Sequence, residues 1–178
     1  VSVQITSVFG KRLASIRTNS LDDAALEEAI RKSEQVARIS PENPEYLPEL
    51  GAQQYDKVES YYDSTGNMAP EARATAMSYA IDQAKQTDTI SAGYMDVRAG
   101  AQAVATSNGL FAYHPSTGVA STLTVRTPDG QSSGWAGDQA NDWNNIENER
   151  IGVYAVRKCL EWRNKTALDP GGYTVILE

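Results

Sequence analysis

Hydrophobic and polar positions alternate at the start of the chain, with Val1, Val3 and Ile5 on one side and Ser2, Gln4 and Thr6 on the other. Period two with β-branched residues predicts a half-buried strand. Gly10-Lys11 then allows a turn into a second strand over 12–17. The period changes after Ser20-Leu21-Asp22-Asp23, where Leu26, Ala29, Ile30, Ser33, Val36 and Ala37 follow at helical spacing. A helix over 21–39 is predicted, with Ser20 as the capping hydroxyl and Pro41 as its stop. Pro70-Glu71 opens a second helix, since proline at the first helical position gives up an amide that had no partner anyway. Ala72, Ala76, Met77, Ala80, Ile81 and Ala84 mark its narrow, small-residue stripe, and it ends over 88–90.

From 90 to 136 the period is two again. Asn108-Gly109 and Pro128-Asp129-Gly130 punctuate it as hairpin turns, which makes an antiparallel meander. Gly137 to Asn145 reads as a loop, and Ile146, Val153, Val156 and Leu160 line one face of a third helix over 146–163. Pro170-Gly171-Gly172 breaks the chain before a last strand over 173–177, so close to the end that the sequence reads as a piece of a longer protein. The fold class is therefore α+β, antiparallel sheet strands with amphipathic helices packed on one side. Residues 3–16 can be laid on 123–136 at an offset of 120, and Ala29-Ile30-Arg31-Lys32-Ser33 on Ala155-Val156-Arg157-Lys158-Cys159 at 126. Two strand-hairpin-plus-helix repeats, in halves 1–40 and 90–178 joined by 41–89, are one reading. Chance similarity is the other.

The joining segment differs in composition. Over 41–68 it holds Pro41, Pro44 and Pro48, six acids against one Lys57, and the tyrosines Tyr46, Tyr55, Tyr61 and Tyr62. So many aromatics argue against a disordered linker and for a surface connection pinned by tyrosine rings. Whole-chain composition narrows the function classes. A net charge of −7 over 178 residues argues against a nucleic-acid surface. No run approaches the ~20 apolar residues that span a bilayer, and no basic-then-apolar leader precedes Val1. One cysteine excludes a disulfide within the chain, and one histidine beside it leaves no set of histidine and thiolate ligands.

The motifs that could carry chemistry are thin. Gly130-Gln131-Ser132-Ser133-Gly134 matches the G-x-S-x-G pattern of a nucleophile elbow. That elbow works between a strand and a helix with its histidine downstream. Here Ser132 lies in a hairpin turn and the lone His114 precedes it, so the pattern reads as a turn. His114 itself stands before Pro115-Ser116-Thr117-Gly118, a turn-forming run. Cys159 reads as a buried structural thiol. Asp138, Asp142, Glu147 and Glu149 lack the spacing of a calcium loop and suit a helix N-terminus instead. Trp135, Trp143 and Trp162 read as filling between sheet and helix. Asn164-Lys165-Thr166 is a formal glycosylation acceptor without a leader. No catalytic, cofactor-binding or metal residue is assigned.

The order of these pieces resembles the TldD/PmbA family, also catalogued as modulators of DNA gyrase. Arg17-Thr18-Asn19-Ser20-Leu21-Asp22 running into 26–37 is similar to the family's T-N-x-L stretch and alanine-rich helix. Asp63, Pro70-Glu71 through Ala84, and Asp88-Thr89-Ile90 are similar to its middle helix. Ser107-Asn108-Gly109, 127–130 and Pro170-Gly171-Gly172-Tyr173-Thr174-Val175-Ile176-Leu177-Glu178 resemble its hairpins and the strand leading out. The resemblance implies that 1–178 is a non-catalytic N-terminal domain fragment of a cytoplasmic parent. That parent would be a zinc-dependent metallopeptidase acting on unfolded peptides, or its motif-lacking partner subunit, in a homo-oligomer or with a sister subunit. Zinc would be held by an H-E-x-x-x-H helix, which this sequence lacks, so the fragment alone should be inactive. The competing reading is a protein-interaction module without peptidase activity.

Overall fold

The computed structural model describes residues 1–176. The chain divides into two compact units, 1–51 and 52–178, so the boundary falls inside the joining segment rather than at either end of it.

In the first unit, strands β1 (Val3–Phe9) and β2 (Arg12–Thr18) pair antiparallel in an unbroken register from Val3↔Thr18 to Phe9↔Arg12. The turn between them needs a left-handed residue, and Gly10 supplies it at φ +64. Helix α1 (Asp23–Ile39) follows. Its cap is Asp22, whose carboxylate accepts from the Ala25 amide at 2.9 Å, while the Ser20 hydroxyl donates to that carboxylate rather than accepting from a helix amide. A full negative charge is a better partner than a hydroxyl for the orphan amides at the positive helix end. The buried residues of α1 are Ala29, Ser33 and Ala37; Ile30 and Val36 of the predicted stripe are both more than two-fifths exposed. Small side chains let the helix lie close over the hairpin, where the Ser7 and Ser33 hydroxyls meet at 2.6 Å. The chain after α1 folds back on the hairpin turn, with Asn43 N–H on the Lys11 carbonyl (2.9 Å) and Arg12 on the Ser40 carbonyl (3.0 Å).

The second unit holds a short helix α2 (Asp63–Gly66), helix α3 (Pro70–Gln86), strands β3 (Ile90–Ala105), β4 (Phe111–Arg126) and β5 (Ser133–Ala140), a 3-10 turn (Trp143–Asn145) and helix α4 (Asn148–Glu161). The sheet order is β3-β4-β5, antiparallel throughout. Two predicted boundaries move. Residues 137–140 continue the strand instead of entering the loop, and Ile146 precedes the helix, facing the core as the 3-10 turn ends. The predicted last strand is absent over 173–176, whose backbone finds no ladder partner, and Leu177 lies outside the described residues.

The core lies between one sheet face and the helices. Val119, Leu123 and Val125 from β4 and Ala136 from β5 meet Ala80 of α3 and Ile151, Ala155, Val156 and Cys159 of α4. Close approach is built in at two glycines. A Cβ on Gly152 would stand 3.1 Å from the Ala80 Cα, and one on Gly134 would overlap the Ala155 carbonyl and the Cys159 amide. Among the described residues, no helix is long and apolar enough to cross a membrane.

Candidate functional site

The turn that carries the G-x-S-x-G pattern is held from both sides. The Thr127 amide donates to the Ser132 carbonyl (3.0 Å), the Ser132 amide to Thr127 Oγ1 (3.1 Å), and Gly130 adopts φ +70. Ser132 is 2% exposed and its hydroxyl donates to the Cys159 carbonyl of α4. Cys159, fully buried, returns its thiol toward the Ser132 carbonyl at 3.6 Å. Ser132 therefore fastens the turn to the last turn of α4, and Gly134 two residues on is the close-packing glycine described above. The motif has a packing explanation at both of its chemical positions. Asp129 accepts from the Thr127 hydroxyl (2.6 Å) and the Gln131 amide (3.1 Å), and these bonds hold its carboxyl below the usual range.

The acidic group is dispersed by its hydrogen bonds. Asp142 accepts from the Ser64 hydroxyl and from the Asn144 amide at 3.0 Å, which lowers its pKa, Ser64 contributing most. Glu147 pairs with Arg150 at 3.5 Å, and Asp138 accepts from the next backbone amide at 2.8 Å. Among the described residues, no group of three or more His, Cys, Asp or Glu is placed to hold a metal.

His114 corrects the turn predicted around it: it lies within β4, opposite Gln102, and Pro115 continues the strand opposite Ala101. Proline is tolerated there because β5 reaches β4 only from Val119 onward, so no ladder bond is asked of residue 115 on that side. The tryptophans divide. Trp143 packs against the core, whereas Trp135 lies against Gly137 on the other sheet face and Trp162 is 58% exposed beside Lys165. Asn164 and Thr166 are exposed, and Lys165 between them donates to the Gln131 carbonyl at 2.6 Å.

The tyrosine-pinned segment is pinned by other groups. Tyr55 and Tyr61 are exposed, Tyr46 and Tyr62 half-buried. The attachment in the second unit is a polar node: Thr65, fully buried, donates to the Asn141 carbonyl (2.9 Å) and accepts from the Trp143 amide (2.7 Å). Thr117 donates to the same carbonyl (2.9 Å), and its amide bonds Ser60 (2.9 Å). Threonines anchor the segment because a short hydroxyl can satisfy buried backbone groups without needing a large cavity. The partners are far apart in sequence, so no local pattern announces them.

An α+β domain of hairpin-and-helix build, its singled-out polar residues engaged in fastening elements together, is the class defined so far. Compared with known families, residues 19–161 match the PmbA/TldA metallopeptidase central domain. The chain belongs to the TldD/PmbA family. No curated protein matches. Among solved structures, TldE from Thermococcus kodakarensis is similar at TM-score 0.77 and 18% identity, covering 89% of this chain and 37% of that one. A Thermotoga maritima protein whose description proposes modulation of a DNA gyrase has TM-score 0.74 and 17% identity, with the same coverage. A Bacteroides thetaiotaomicron protein of like description has TM-score 0.70 and 16% identity, over 88% of this chain and 38% of that one. These likenesses show the fold, and the chain spans little more than a third of each relative.

Proposed function

We propose that the chain is a non-catalytic, central domain of a TldD/PmbA-type protein. In this reading it shapes the contact between subunits and the walls along which unfolded peptide reaches a zinc centre elsewhere in a cytoplasmic parent. The central position follows the matched family description and replaces the N-terminal position that motif order suggested. The observation that carries the reading is the family match over 19–161 in a stretch without H-E-x-x-x-H. The residues present do not fit zinc. His114 is on β4 and Cys159 is fully buried on α4, and a peptidase centre needs three protein ligands and an open position. No hydrolytic step is therefore drawn through this chain. The test is direct: bound zinc by mass spectrometry and cleavage of an unfolded fluorogenic peptide, both on this chain alone. The expected result is neither; stoichiometric zinc together with turnover would overturn the reading.

A further inference from the structure

The three-stranded sheet turns one face to the helices of its unit, and its outward face departs from the polar surface usual for a solvated sheet. Ile90, Ala92 and Tyr94 of β3 stand there directly opposite Arg126, Thr124 and Thr122 of β4, and Thr124 is in turn opposite Trp135 of β5. Ile90 is 59% exposed, Tyr94 61% and Trp135 47%. On β4 the alternation is regular, with Val119, Leu123 and Val125 buried inward and Thr122 and Thr124 half-buried outward. The two flanking strands break it by placing large apolar side chains on the open side.

These side chains bound a groove of about 790 Å³, within the roughly 300–1,000 Å³ of small-molecule sites. Tyr94 and Trp135 are its walls. They stand on the strands flanking β4, roughly 10 Å apart by strand spacing, with Thr122 and Thr124 as the floor between them. The Trp135 wall is seated by Gly137, where an added Cβ would come within 2.8 Å of the indole ring. Arg126 stands at one end, beside Pro128 and Gly130 of the turn. Among the described residues Arg126 has no hydrogen bond or ion pair, and no Asp or Glu lines the groove, although the chain has 23 of them.

We propose that this groove binds a small apolar carboxylate, a ring or compact hydrocarbon carrying one acid group. The indole and phenol faces offer stacking surface to a flat apolar body. The Arg126 guanidinium offers two parallel N–H donors, which a carboxylate accepts bidentately. Charge selects the sign of the ligand: a lone cation with no acid in the lining attracts an anion, on a chain whose net −7 repels anions elsewhere. Spacing selects its length. The row of Ala92, Thr124 and Trp135 lies two residues, roughly 7 Å, along β4 from Arg126, which suits a ring joined to its acid by a short carbon link. The site goes beyond the domain role proposed above and does not depend on it.

The experiment is isothermal titration calorimetry of the full-length protein with 3-phenylpropionate, and with 3-phenylpropanol as the same body without the charge. One site of roughly millimolar affinity is expected for the acid, with the alcohol about tenfold weaker. Arg126→Gln should bring the acid down to the affinity of the alcohol and leave the alcohol unchanged. Trp135→Ala should weaken both. If that variant folds poorly, Tyr94→Ser removes the opposite wall at an exposed position and should also weaken both. Equal affinity for acid and alcohol, acid binding indifferent to Arg126→Gln, or no binding because another domain covers the groove would overturn the inference. Zinc and hydrolysis assays do not read this face, so an active chain defeats the functional proposal while the binding measurement stands or falls separately.

Discussion

The first hairpin and its helix (β1, β2, α1) and the corresponding part of the second unit (β4, β5, α4) are built by similar local rules and reach different ends. Each hairpin turns on a glycine with positive φ, Gly10 at +64 and Gly130 at +70. Each helix buries a stripe of small residues, Ala29, Ser33 and Ala37 in one and Gly152, Ala155 and Cys159 in the other. Each has a polar tie at equivalent depth, Ser33 to Ser7 and Cys159 to Ser132. Each also has a hydrogen-bonded aspartate nearby, Asp22 capping α1 and held by Ser20 and the Ala25 amide, and Asp142 capping the 3-10 turn ahead of α4 and held by Ser64 and the Asn144 amide, while α4 itself starts at Glu147 without a side-chain cap. The difference is the number of layers. In the first unit Val3, Ile5, Leu13 and Ile16 are only half-buried. In the second, β3 and α3 enclose β4, and Leu123 and Val125 fall to 2% and 0% exposure. Local pattern decides the hairpin and the helix; a third strand and a second helix decide whether a dry core exists.

That comparison can be broken by substitution. Leu123→Ala should show the largest effect, about 3 kcal/mol, because it opens a cavity among well-packed neighbours. Ile16→Ala in the first hairpin should cost nearer 1 kcal/mol, since a half-exposed side chain loses less contact. Urea unfolding checks both, and equal costs would mean that the first unit is as well enclosed as the second. Gly134→Ala comes next, at roughly 1–3 kcal/mol from overpacking against the α4 backbone; a neutral result would show that α4 can lift away. Ser33→Ala should lose about 1 kcal/mol by leaving the Ser7 hydroxyl without its partner, and Cys159→Ala should cost a similar amount through lost packing.

The smallest effect distinguishes the caps. The carboxyls of Asp22 and Asp142 are both lowered in the folded chain, so each contributes stability that is present above the ordinary carboxylate range and is lost as pH falls through the folded value. Acid below about pH 4 should therefore loosen the start of α1 and the 3-10 turn that Asp142 caps. NMR titration of the two carboxyls, each with a midpoint below the ordinary one, checks it. Asp142→Asn should remove only its own share of the pH dependence, leaving the contributions of Asp129 in the second unit and of Asp22 at α1 intact.

The two hairpins can also be laid on one another by their helix-facing pairs. Phe9, under Arg38 of α1, pairs with Arg12 as Val125, in the core with α4, pairs with Gly134, and this superposition has strand offsets of 116 and 122 (125 − 9 and 134 − 12). Six of the extra residues sit in the turn around Thr127–Ser132, where the Thr127 hydroxyl and the Asp129 carboxylate close a wider loop.

Period and punctuation by themselves determined the order of hairpins and helices, the antiparallel meander, the close-packed alanine stripe of α3 and the inner position of Cys159. These depend on neighbours a few residues apart. The exposure of Ile30 and Val36, the extension of β5 to Ala140 and the placement of Pro115 inside a strand depended on which surface each element met. So did the anchoring of the joining segment by Thr65, Thr117 and Asn141. An uncharged stretch is present in the residues from Ala99 to Thr117, yet only the tertiary structure made it a two-stranded extension of the sheet, because only there does β5 stop pairing at Val119.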